Sequence, residues 1–83
     1  MAEYVRGLVV RARAGHDKGD FLAVLEAGDG WAIIADGKRR PLEKPKRKKQ
    51  IHLAPTDTVL SEEQMETNRK LRNALRPFRE RAE

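Results

Sequence analysis

Apolar and polar positions alternate in the first third of the chain, and a helical spacing replaces that pattern in the last third. Leu8, Val10, Ala12 and Ala14 are apolar at every second position with Arg11 and Arg13 between them. This period of two predicts a half-buried strand over residues 8–14 with both arginines on its outer face. Residues 15–20 read Gly-His-Asp-Lys-Gly-Asp, and residues 21–25 return as a continuous apolar run. A hairpin with a six-residue loop is expected. Asp29-Gly30 signals the next turn because Asp-Gly accepts positive φ, residues 31–35 read as a third strand, and Asp36-Gly37 repeats the signal. A fourth short strand is expected over residues 38–42 and a fifth over residues 51–53, just before Ala54-Pro55. Five short strands at this spacing predict a small, mainly β barrel, which removes free edges by closing on itself.

Beyond residue 60 the spacing changes. Ser61-Glu62-Glu63-Gln64 has the form of a capping box, with Leu60 and Met65 placed as a hydrophobic staple. Leu71, Ala74, Leu75 and Phe78 follow at i, i+3, i+4 and i+7, with Glu62, Glu63 and Glu66 early and Arg69, Lys70, Arg72 and Arg76 late, in the order the helix dipole favours. A C-terminal helix over residues 62–76 is predicted, ending or kinking at Pro77, which lacks an amide proton.

The chain has 83 residues, 37% charged and 39% hydrophobic, which suits one small domain with a small core and leaves no room for a deep enzymatic cavity. Lysine and arginine number 18 against 13 acidic residues, a net charge of +5. That excess is local: residues 1–37 carry a net −2, residues 38–52 a net +7, and residues 53–83 balance. A one-signed block containing Pro41 and Pro45 repels itself, so a solvated, partly mobile segment is expected there. Cysteine is absent, which excludes disulfides, thiolate metal sites and cysteine nucleophiles. No stretch approaches the roughly 18 apolar residues of a spanning helix, and the start of the chain lacks the form of a secretion signal, so a soluble cytoplasmic protein is expected.

The basic block carries the strongest chemical signal. Lys38, Arg39, Arg40, Lys44, Lys46, Arg47, Lys48 and Lys49 place eight cations in twelve residues, a density that phosphate neutralisation and counterion release reward. A nuclear-localisation signal has the same appearance; a membrane surface fits less well because large apolar residues do not interleave. Arg11 and Arg13 add cations from the strand, or are simply its polar face. Lys18 reads equally as a phosphate ligand or a solvated loop charge. Trp31 reads as a barrel anchor first; together with Tyr4 it is also the stacking surface available. His16 and His52 lack the neighbours of a metal site, Asp17 and Asp20 flank a lysine in an exposed turn, and no nucleophile stands near a base, so neither an enzyme nor a cofactor is expected.

Residues 7–19, Gly-Leu-Val-Val-Arg-Ala-Arg-Ala-Gly-His-Asp-Lys-Gly, followed by Phe21-Leu22-Ala23-Val24, resemble a KOW motif, in which a G-x-x-K-G loop joins two apolar strands. With the Asp36-Gly37 turn and the basic Lys38-Arg39-Arg40-Pro41 behind it, the chain resembles more narrowly the eukaryotic-type large-subunit ribosomal proteins fourteen, six and twenty-seven and their short bacterial relatives. The resemblance implies an SH3-like barrel over residues 1–55 and binding to structured RNA, usually ribosomal RNA, with His16, Lys18 and Gly19 presented from the loop. Residues 56–83 form a helical extension outside the motif. The alternative is a protein-docking adaptor that uses Leu71, Leu75 and Phe78 of the helix; aromatic residues at 5% of the chain argue against a peptide groove.

Overall fold

The computed structural model describes residues 3–81. Five antiparallel strands, β1 (Leu8–Ala12), β2 (Phe21–Gly28), β3 (Trp31–Ala35), β4 (Lys46–Lys49) and β5 (Leu53–Val59), form one sheet in the order β4-β3-β2-β1-β5 and precede a C-terminal helix, α1 (Asn68–Arg81). β4 and β5 stand at opposite ends of that order, yet a single 3-10 turn (Gln50–His52) joins them. Four inter-strand steps of a flat sheet would separate its edges by about 19 Å. Three residues of 3-10 helix advance only about 6 Å. The sheet therefore curls until its edges approach, giving a barrel-like fold of SH3 type.

Alternation within the strands divides the apolar residues between two clusters. Leu8, Val10 and Ala12 meet Leu22, Val24, Ala32, Ile34 and Leu53 inside the curl. On the other face, Val9, Ala23 and Ala35 form a row across three strands, since Val9 pairs with Ala23 and Ala23 with Ala35. Two alanines in that row leave space for a helix. Leu71 and Leu75 of α1 fill it, both fully buried, together with Leu60 and Met65. Burying a leucine stabilises by about 1.5 to 3 kcal/mol, so the helix belongs to the fold. Its apolar stripe is used in covering the sheet. No helix among the described residues is long and apolar enough to cross a membrane.

Several boundaries differ from expectation. β1 ends at Ala12, so eight residues, 13–20, separate it from β2. No strand forms over residues 38–42. There the Asp36 carboxylate accepts from the backbone N–H groups of Lys38 and Arg40, both at 2.9 Å, and winds the chain into a turn. The fourth strand is instead Lys46–Lys49, inside the block expected to be solvated and mobile: its backbone pairs with β3, from Ile34 opposite Lys46 to Trp31 opposite Lys49. β5 runs to Val59, past the boundary expected at residue 55, and accommodates Pro55 because it is an edge strand.

The capping box forms, with Ser61 N–H donating to Gln64 Oε1 at 2.9 Å and Gln64 N–H to Ser61 Oγ at 3.2 Å, but it caps a 3-10 turn (Glu63–Met65). The α-helix begins later, where Thr67 Oγ1 accepts from Lys70 N–H at 3.1 Å. It continues through Pro77 to Arg81, because Phe78 packs against Phe21 with ring centroids 5.7 Å apart and holds the turn beyond the proline. Asn68 joins the helix start to the basic segment: Leu42 N–H donates to its Oδ1 at 2.7 Å, and its Nδ2 donates to Glu43. Arg6, bonded to Glu62 at 2.7 Å and to the Leu25 carbonyl at 3.0 Å, ties the chain before β1 to the segment before the helix. The hydrogen bond that Arg6 donates to Glu62 raises its guanidinium above its ordinary pKa.

Candidate nucleic-acid interface

The β1–β2 loop is built from short backbone bonds around an inward-turned carboxylate. Lys18 N–H donates to Gly15 O at 3.2 Å, Asp20 N–H to Asp17 O at 2.8 Å, and Gly19 N–H to Ala12 O at 2.8 Å. This path puts Gly19 at φ +91°, in the region that favours glycine. A Cβ added there would come no closer than 4.0 Å to the atoms of residues beyond its chain neighbours, so the requirement is conformational.

Asp17 corrects the expectation of an exposed turn. It is 1% exposed, and its Oδ2 accepts from Arg40 Nε at 3.3 Å and Nη2 at 3.2 Å. The Lys48 ammonium lies 4.0 Å away and donates to the Ala14 carbonyl at 2.8 Å. One buried carboxylate thus ties the loop to both arms of the basic segment, Arg40 before its prolines are passed and Lys48 within β4. An unpaired carboxylate would be costly at this depth; two cations and the surrounding hydrogen bonds compensate it. Nothing in the residue pattern distinguished Asp17 from Asp20, which sits in the open and pairs with Arg39 at 3.3 Å.

The structure brings part of the expected set together. Arg11, Arg13, Lys18 and Gly19 line one shallow groove with Ala12 and Ala54, of about 350 Å3. Among the described residues none of its three cations is paired with a carboxylate. Arg11 extends across Phe21, its guanidinium carbon 5.5 Å from the ring centroid, which positions it without neutralising it. His16 is exposed at the loop tip, and Lys38, Lys44 and Lys49 are exposed on the basic segment. Lys46 and Lys48 pair with Ile34 and Ala32 of the inner cluster and are partly buried, the Lys48 side chain nearly wholly so. Arg47 and Lys49 project to the opposite face, where the Arg47 guanidinium stands 4.9 Å from the Trp31 ring centroid.

Of the expected cations, Arg40 and Lys48 are therefore structural first. Tyr4 is not part of a stacking surface with Trp31: it packs against the inner cluster, and its hydroxyl lies 3.4 Å from the Gln50 and Leu53 carbonyls. No family model and no curated protein matches the chain.

Proposed function

We propose that the protein binds structured RNA, as a ribosomal or ribosome-associated protein, through the β1–β2 loop and the basic segment joined to it. The observation that carries this reading is the groove lined by Arg11, Arg13, Lys18 and Gly19: three cations that pair with no carboxylate among the described residues, gathered at one loop. Phosphates reward such an arrangement twice, through charge and through counterion release. Asp17 supports it further by tying the loop that carries Lys18 to Arg40 and Lys48 of the basic segment. Phosphate contacts of this kind fix register and orientation and carry no base information, so RNA shape selects the site. An adaptor that docks partners through the helix is the less favoured reading, because Leu71 and Leu75 are fully buried on the sheet. Crosslinking in cells, with sequencing of the attached RNA, tests the proposal: ribosomal RNA enriched at discrete positions is expected, and recovery no higher than an uncrosslinked control would refute it.

A further inference from the structure

A second surface lies on the outer face of the sheet, around Trp31. Trp31 opens β3 opposite Gly28 on one side and Lys49 on the other. Its indole lies so close against Gly28 that an added Cβ would stand 2.4 Å from the ring, so only glycine permits this placement. The guanidinium of Arg47 stands over the indole. Gln50 fixes the frame: its Nε2 donates to the carbonyls of Gly28 and Trp31, both at 2.9 Å, and its N–H donates to Gly30 O at 2.9 Å. The platform is thus held in place before any ligand arrives, which lowers the ordering cost of binding. A depression of about 470 Å3 opens here, lined by Asp29, Gly30, Trp31, Arg47, Lys48 and Lys49.

We infer that this depression is a stacking site for one unpaired nucleobase of a bound RNA strand, with the adjoining phosphate held by Arg47 and Lys49. The inference rests on the RNA reading and deepens it, adding a single-stranded element to the structured RNA. Gly28 covers one face of the indole and the Arg47 guanidinium lies over the other. The base takes the guanidinium's place on the ring, which accepts the π-face of any base, and frees Arg47 for the phosphate. Arg47 and Lys49, two residues apart on β4, project to the same side as Trp31, so the positive charge stands beside the stack. Lys48 between them is turned away and bonded to Ala14. Asp29 is the single carboxylate of the lining and repels phosphate from the turn end, which orients the strand with its phosphate toward β4. A peptide groove would call for further aromatic residues, and Tyr4 is engaged with the inner cluster.

Trp31 is the sole tryptophan of the chain, so its fluorescence reports directly on the site. The test titrates the full-length protein with four probes: a single-stranded RNA decamer, the same strand with abasic riboses throughout, an RNA duplex of equal charge, and a polyglutamate peptide. The decamer is expected to quench the indole, while the abasic strand and the duplex bind with little quenching. In Trp31→Leu, checked for folding by circular dichroism, affinity for the decamer should fall about 5- to 100-fold with duplex affinity retained. If that variant does not fold, the quenching comparison decides alone. Decamer binding without quenching, or equal quenching by the abasic strand or the peptide, would overturn the stacking site and leave the RNA reading standing. Failure of every RNA to bind would overturn both.

Discussion

Lys48 and Lys49 are neighbours in β4 and face opposite ways. The Lys48 side chain is 10% exposed, donates to a loop carbonyl and helps to compensate a buried carboxylate. Lys49 is exposed, and among the described residues it has no acidic partner. The same division separates Arg40, bonded to Asp17, from Lys38 two residues earlier, which is exposed. A run of eight cations is therefore two populations in one stretch of chain: some hold the loop in place, and others stay exposed. The lesson is that a count of positive charges overstates the charge on offer, because a one-signed segment that folds needs a counter-charge from elsewhere. Here Asp17 supplies it.

Removing that counter-charge should have the largest effect. Asp17→Ala leaves Arg40 and Lys48 facing each other without their shared carboxylate, and breaking such a buried arrangement from one side costs about 3 to 5 kcal/mol. Urea unfolding followed by circular dichroism measures it. A loss below about 1 kcal/mol would mean that the loop is not held by this carboxylate, and the two populations of cations would merge.

The next effect divides the two neighbours. Lys48→Ala removes a charged donor from the Ala14 carbonyl and should destabilise by about 1.5 to 3 kcal/mol. Lys49→Ala should change stability by less than about 0.5 kcal/mol, as exposed substitutions usually do. In RNA binding the order should reverse at temperatures where both proteins are folded. Equal unfolding midpoints for the two variants would erase the distinction drawn between the faces of β4.

Gly19 lies at the loop end of the same clamp, two residues after Asp17. Its φ of +91° is strained for a β-branched residue while the space around it is open, so Gly19→Val should cost about 1 to 3 kcal/mol and Gly19→Asn less, because asparagine tolerates positive φ better. Similar losses for both would point to crowding instead of conformation.

The same division explains how much was legible in the chain. Leu8, Val10 and Ala12 alternate with arginine, and Asp-Gly pairs stand at both ends of β3, so β1 to β3 can be read from side chains alone. β4 cannot: Lys46-Arg47-Lys48-Lys49 contains no apolar residue, and its strand exists because the curling sheet offers it the backbone of β3. Pro55 suggested an end to β5, but at the sheet edge the missing N–H leaves no ladder bond unmade. The capping box was recognisable as local chemistry; that it would close a 3-10 turn, with Thr67 capping the helix, depended on where Leu71 and Leu75 had to land on the Val9-Ala23-Ala35 row. Of the candidate site, the cations of the loop groove were readable as types. Which ones stay unpaired was not, because Asp17 and Asp20 look alike until the backbone turns one of them inward.

The smallest effect on the fold, and the one that bears most directly on function, belongs to the unpaired set. Arg11, Arg13 and Lys18 line the loop groove, and Arg13 and Lys18 make no ion pair or side-chain hydrogen bond among the described residues, so replacing all three with Gln should leave the unfolding midpoint close to that of the parent. Arg11 also loses its contact with Phe21, a solvent-exposed stack worth about 0.5 to 1 kcal/mol at most. RNA affinity should nevertheless fall, and its dependence on salt should weaken. Each phosphate contact contributes about 0.7 to 0.9 to the slope of log affinity against log salt, so a triple variant that loses all three should have a slope shallower by about 2 to 2.7. Titrating a structured RNA at four salt concentrations, alongside Lys48→Gln under folded conditions, separates the two populations. The clamped lysine should change the slope little, since its charge already faces Asp17. If the triple variant kept the parent's slope while Lys48→Gln lost it, the cations left unpaired by the fold would not be the ones that meet phosphate, and RNA binding would have to be assigned to β4 and the surface around Trp31 instead.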